Sequence, residues 1–203
     1  MTEHDVRHSF AVGARWFGGL VDRVPVDAWS GPGLGVWDVR ALTGHGTRSL
    51  VTVNSYLDRP AAEVQVATPW DYYLQVMAAA TDAAAVAERG RQAGKALGAE
   101  PAAFVRALVE RVLARVPADD PVIETIVGGM RLSDYLPTRT FELVVHGYDL
   151  AAAVDLTAGP LPEDVLAEVL GLAGRIAVRT GQGPGALLAL TGRTRLPAGF
   201  SVV

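Results

Sequence analysis

The stretch ArgThrPheGluLeuValValHis, Arg139 to His146, sets a carboxylate and an imidazole four residues apart inside an otherwise apolar run. On an α-helix residues four apart share one face, so Glu142 and His146 point at a common centre. A third ligand then has to come from another helix, and His45 lies on the apolar face of a second helical stretch with Leu42, Ser49, Val53 and Tyr56. Helical bundles build metal sites in this way, from side chains on facing helices. Arg139 and Asp149 fall on the same stripe as Glu142 and His146. Asp149, three residues past His146, suits a carboxylate that orients a ligating imidazole, a substrate contact, or a plain surface acid. The bland alternatives stand beside the metal reading: Glu-x-x-x-His also serves as an i,i+4 polar pair, and a lone inward histidine is commonly satisfied by a hydrogen bond in the core.

Working outward, Phe10, Ala14, Phe17, Val21 and Val24 recur at helical spacing and predict a helix over 5–24, stopped by Pro25. A Gly- and Pro-rich loop, Gly31 to Val36, leads into a helix over 38–57 with Asp38 as N-cap. An Ala-rich helix is expected over 69–96, followed by one starting at Pro101 and carrying Phe104, Leu108, Val112 and Val116. Both read as scaffold. Val122 to Val127 and Met130 to Leu132 predict a β-hairpin turning on Gly128 and Gly129. The helix bearing Glu142 and His146 is expected over 133–154, and another over 163–180 with Leu166, Leu170, Ala173 and Ala177 on one face. Ala186 to Gly192 and Gly199 to Val203 suggest a small terminal β-pair. Together these predict a mainly α protein, a helical bundle with one or two short β-hairpins, folded as a single domain over 1–203.

Composition narrows the function. Net charge is −4 and the seventeen arginines are scattered, so no basic stripe offers itself to nucleic-acid phosphates. Half of the residues are hydrophobic, yet no run reaches the roughly 18 to 20 apolar residues of a membrane helix. The N-terminus lacks the basic-then-apolar order of a secretory signal, and the cytoplasm is the expected location. With no cysteine there is no disulfide framework, no thiolate zinc site and no catalytic cysteine. Thiol chemistry in this chain must use a thiol from outside.

Other motifs carry less. Gly31-Pro32-Gly33-Leu34-Gly35 has no strand before it and no βαβ alternation around it, and reads as a loop. His4 and His8 are four apart but sit at a terminus without a third ligand. Arg193 and Arg195 are able to grip a carboxylate, though exposed arginines are the ordinary reading. No Gly-x-Ser-x-Gly elbow supports a hydrolase triad.

Three segments carry a family resemblance: TrpAspValArgAlaLeuThrGlyHis (Trp37 to His45), ArgThrPheGluLeuValValHisGlyTyrAspLeu (Arg139 to Leu150) and ThrGlyArgThrArgLeuProAlaGlyPheSerVal (Thr191 to Val202). In order along the chain they resemble the mycothiol-dependent maleylpyruvate isomerase family of the DinB-like metalloprotein superfamily. The resemblance implies a DinB-like antiparallel four-helix bundle with extra helices. It implies His45, Glu142 and His146 as ligands of a divalent metal, zinc first and nickel or manganese as alternatives. Arg139 and Asp149 become candidate catalytic residues, Arg193 a candidate cofactor contact, and mycothiol the thiol cosubstrate. The partners implied are a small electrophile and a low-molecular-weight thiol, and a homodimer is compatible with the sequence. Relative to the full isomerase the chain is expected to lack a larger C-terminal domain.

Three protein ligands and one open position form the pattern of a catalytic rather than a structural zinc site. A metal there would lower the pKa of a bound thiol and hold it as a nucleophile at neutral pH. Addition to an activated double bond, rotation and departure give isomerisation; retention gives S-transfer. Three alternatives remain open in the sequence. One is a non-catalytic bundle in which the metal only staples two helices, the second is a metal-dependent hydrolase using zinc-bound water, and the third is an enzyme with a different thiol or a specialised biosynthetic substrate.

Overall fold

A computed structural model describes residues 5–79 and 83–203. Asp5 starts the first helix, α1 (Val6–Val21), by accepting a hydrogen bond from the Arg7 amide at 3.0 Å, and α1 buries Phe10, Ala14, Phe17 and Val21 on one face. Asp38 does the same for α2 (Val39–Tyr56), taking the Ala41 amide at 2.7 Å. The long helix α6 (Leu132–Ala153) has no cap of its own. Asp120 supplies one from the preceding loop, accepting from the Ser133 amide at 2.8 Å and the Ser133 hydroxyl at 2.7 Å. Pro137 lies in the second turn of α6, past the four amides that have no acceptor within the helix, so it leaves the Ser133 carbonyl without its i+4 donor.

The other elements are α3 (Pro69–Ala79), α4 (Ala83–Ala96), α5 (Pro101–Arg115), β1 (Val122–Thr125), β2 (Gly128–Arg131), α7 (Glu163–Arg179) and α8 (Gly183–Leu190). Helices α5 and α6 each contact both α1 and α2, so these four enclose the core. That core joins Phe10, Phe17, Leu42, Leu50, Val112, Leu136, Leu143 and Leu150, with Ile176 of α7 added from outside. The mainly α, DinB-like class expected from the sequence is the one observed. No helix among the described residues is long and apolar enough to cross a membrane.

Two local expectations need correction, the hairpin turn and the tail. Of the helix expected over 69–96, the described residues form α3 and α4, and residues 80–82 lie outside the described residues; α3 lies on α6 and α7, whereas α4 lies along α2. The α2–α4 contact is backbone to backbone, since a Cβ on Gly44 would lie on the Gly94 amide nitrogen, and one on Gly90 would strike the Trp37 indole. The hairpin turns on Ile126 and Val127, not on the glycines, with Thr125 opposite Gly128. Gly128 and Gly129 are strand residues because a neighbouring segment crosses them: Gln65 and Val66 amides both donate to the Gly129 carbonyl, at 2.8 and 3.0 Å, and a Cβ on Gly129 would collide with the Glu63 carbonyl. The tail forms no β-pair. Ala186 to Leu190 belong to α8, which has Pro184 in its first turn, and residues 199–203 have no regular structure.

Candidate metal centre

Small residues bring the ligand-bearing helices together. A Cβ on Gly46 would lie 2.9 Å from the Phe17 ring and 3.2 Å from the His146 Cβ, and a Cβ on Gly147 would strike the Trp16 ring. With no side chains at these crossings, α2 and α6 approach closely enough for the His45 and His146 rings to meet edge to face at 4.8 Å. The three candidate ligands thus converge. One ligand atom each from His45, Glu142 and His146 lies within 4.8 Å of the others, and this is the metal-competent cluster found among the described residues.

The Glu142 Oε2 to His146 Nε2 separation is 3.2 Å. Tetrahedral ligands about 2.0 to 2.2 Å from an ion sit roughly 3.3 to 3.5 Å from one another, so this pair already has the spacing. His45 needs a small inward movement. Its Nδ1 is buried without a hydrogen-bond partner, an unmet polar atom of the kind that marks a site whose occupant is not polypeptide. The bland reading of His45, a core histidine satisfied by the protein, is not what the structure shows. Two imidazoles and a carboxylate fit a divalent cation such as zinc.

Electrostatics sharpen the arrangement. Burial, and then the neighbouring His146, bring the His45 pKa down to about 4, leaving its imidazole neutral and free to ligate. Burial pushes the Glu142 carboxyl up, but the hydrogen bond to His146 and the Arg139 charge outweigh it and bring it down to about 2. For His146 burial pulls down, whereas the hydrogen bonds to Asp149 and Glu142 raise it to about 9.

Asp149 Oδ2 lies 3.0 Å from His146 Nδ1. Of the three roles open to it in the sequence, orienting the imidazole is the one with a contact. Arg139 is 8 % exposed, stacked between the rings of Tyr72 at 5.3 Å and Tyr135 at 4.9 Å. Its Nε donates to Thr138 Oγ1 at 2.9 Å. The terminal nitrogens have no hydrogen-bond partner among the described residues. Arg193 stands apart: it is exposed, and its hydrogen bond goes to the Thr191 carbonyl in its own turn. His8 is exposed at the N-terminus, and His4 lies outside the described residues.

Two neighbours of the cluster escaped the sequence reading. Trp37 stacks on His45 at 4.5 Å and anchors its indole by donating to the Ala87 carbonyl at 2.9 Å. Tyr73, in a helix read as scaffold, donates to Glu142 Oε1 at 2.7 Å. The available signal was the Trp70 to Tyr73 cluster, aromatic and polar within an otherwise Ala-rich segment.

The family model described as the mycothiol maleylpyruvate isomerase N-terminal domain matches residues 6–151. The chain belongs to this family. The matched span of the isomerase N-terminal domain family runs from the start of α1 into the last turn of α6 and contains all three candidate ligands. The tail segment Thr191 to Val202 lies beyond it, as do α7 and α8. No curated protein and no solved structure matches the chain.

Proposed function

We propose that the chain is a metal-dependent, mycothiol-using enzyme, an isomerase or S-transferase acting on a small electrophile in the cytoplasm. The observation that carries this reading is the convergence of His45, Glu142 and His146 within 4.8 Å in a member of this family. A divalent metal, zinc by preference, would be held by those three side chains and would supply a lowered pKa to the thiol it binds. Glu142 and His146 keep side-chain exposures of 22 % and 12 %, so solvent reaches them, which favours an open metal position over a sealed staple.

The chain's own groups take separate roles. Asp149 accepts the Nδ1 proton of His146, so that a metal displacing the Nε2 proton would find the Nε2 lone pair directed inward. Arg139 offers its unpaired terminal nitrogens to a carboxylate of the electrophile, its charge held in place by the two tyrosine rings. With no cysteine in the chain, any thiol must come from outside, and the family points to mycothiol as that thiol.

Purified protein reconstituted with zinc should hold about one ion per chain by elemental analysis, as a site of two imidazoles and a carboxylate requires. It should then consume mycothiol, or return it unchanged with an isomerised product, across a panel of electrophiles. Negligible metal after reconstitution, or metal without thiol-dependent turnover, would sink the proposal. For Asp149→Asn, metal affinity is expected to fall about ten- to a hundredfold with the fold retained, as measured by chelator competition. Normal affinity with weakened thiol binding would instead move Asp149 to the cofactor.

A further inference from the structure

We infer that Tyr73 is a positioning residue for Glu142: its hydroxyl holds one carboxylate oxygen and leaves the other to face the metal. This rests on the reading of His45, Glu142 and His146 as a metal site. The two oxygens of Glu142 have different partners. Oε1 takes the Tyr73 hydroxyl at 2.7 Å, while Oε2 faces His146 Nε2 at 3.2 Å. A glutamate side chain has three torsions, and without an anchor it swings and ligates through either oxygen or both. A short bond from a hydroxyl to a charged carboxylate removes that freedom.

Tyr73 is itself firmly held. It is 4 % exposed, its ring packs edge to face on Phe141 at 5.4 Å and on Tyr72 at 5.9 Å, and its hydroxyl also lies 3.1 Å from the Thr138 carbonyl. Its helix α3 is secured one turn earlier, where the Thr68 hydroxyl and Asp71 carboxylate bond at 2.6 Å and Asp71 pairs with Arg179 of α7 at 3.3 Å. Tyr72 is the internal control. It is equally buried and adjacent in sequence, but it serves Arg139 with its ring face and makes no hydrogen bond to Glu142.

The test is a chelator-competition titration of zinc into the full chain, its Tyr73→Phe variant and its Tyr72→Phe variant. Tyr73→Phe should bind zinc about ten- to a hundredfold more weakly with its cooperative thermal melt retained. Tyr72→Phe should bind as the wild type does. In the cobalt-loaded proteins, freeing Oε1 should raise the coordination number, seen as a weaker visible absorption band in Tyr73→Phe alone. If Tyr73→Phe loses its melt, para-aminophenylalanine and para-methylphenylalanine at position 73 decide the matter, since both fill the space and only the first donates. Wild-type zinc affinity and cobalt spectrum in Tyr73→Phe would overturn the role of Tyr73 while leaving the metal site standing. Equal weakening in Tyr72→Phe would also overturn it, by showing a general packing effect. A wild-type chain that takes up neither zinc nor cobalt removes the metal site and this role together.

Discussion

His146→Ala is expected to weaken zinc binding by about a hundredfold or more, on the order of 3 kcal/mol, the share of one ligand in a site whose ligands together supply about 10 to 16 kcal/mol. The same order of loss is expected for His45→Ala and Glu142→Ala, because each contributes one atom to a cluster spanning no more than 4.8 Å. Glu142→Ala carries an additional effect on the protein alone, since it removes the carboxylate that His146 Nε2 now faces and leaves the Tyr73 hydroxyl with the Thr138 carbonyl alone. His8→Ala, far out on an exposed terminal turn, should change nothing. Dialysis against a chelator followed by elemental analysis reads all four. Retention of a full equivalent by all three ligand variants would mean that the ion sits elsewhere.

Gly44→Ala is expected to lower stability by about 3 kcal/mol, the upper end of ordinary overpacking, because the new methyl meets backbone. In a bare helix this change would be favourable by roughly 0.5 to 1 kcal/mol, so the sign is itself diagnostic. The methyl would lie on the Gly94 amide nitrogen and 2.6 Å from its Cα, and neither can rotate away. Helices α2 and α4 must part. For a chain of this size the melting temperature should fall by roughly 6 to 12 °C. Because Gly44 adjoins His45, zinc affinity should fall in the same variant, whereas Gly19→Ala, with open space around it on α1, should melt at or above the wild-type temperature. A Gly44→Ala protein more stable than wild type would show that the α2–α4 contact is looser than described.

Much of the ligand set was legible from spacing. Glu142 and His146 are bound by the helical period, and Asp149 three residues on reaches His146 Nδ1 as the same period requires. Asp38 announced the start of α2 because a short acceptor side chain before an apolar-periodic run has one ready use. His45 was legible as an inward histidine on a second helix and so as a candidate third ligand, a reading that the family resemblance then strengthened. The hairpin was placed correctly but its turn was not: two consecutive glycines signal a turn locally, whereas here they make room for the chain at Gln65 and Val66. The terminal β-pair failed similarly, because a run of alanine and leucine after Pro184 has strong helical propensity and no partner strand to outweigh it.

By itself the sequence determined what is periodic or compositional: a mainly helical chain, no cysteine, no basic stripe, and a carboxylate and imidazole on one face of one helix. Which helices meet, and with which atoms, only the tertiary structure decided. The approach of α2 to α6 depends on Gly46 lying under Phe17 and His146, and the aim of Glu142 depends on a tyrosine 69 residues away on a helix with no chemistry of its own. Helical periodicity is a property of neighbours in the chain. The hydrogen bond from Tyr73 to Glu142 joins residues that are neighbours only once the chain has folded.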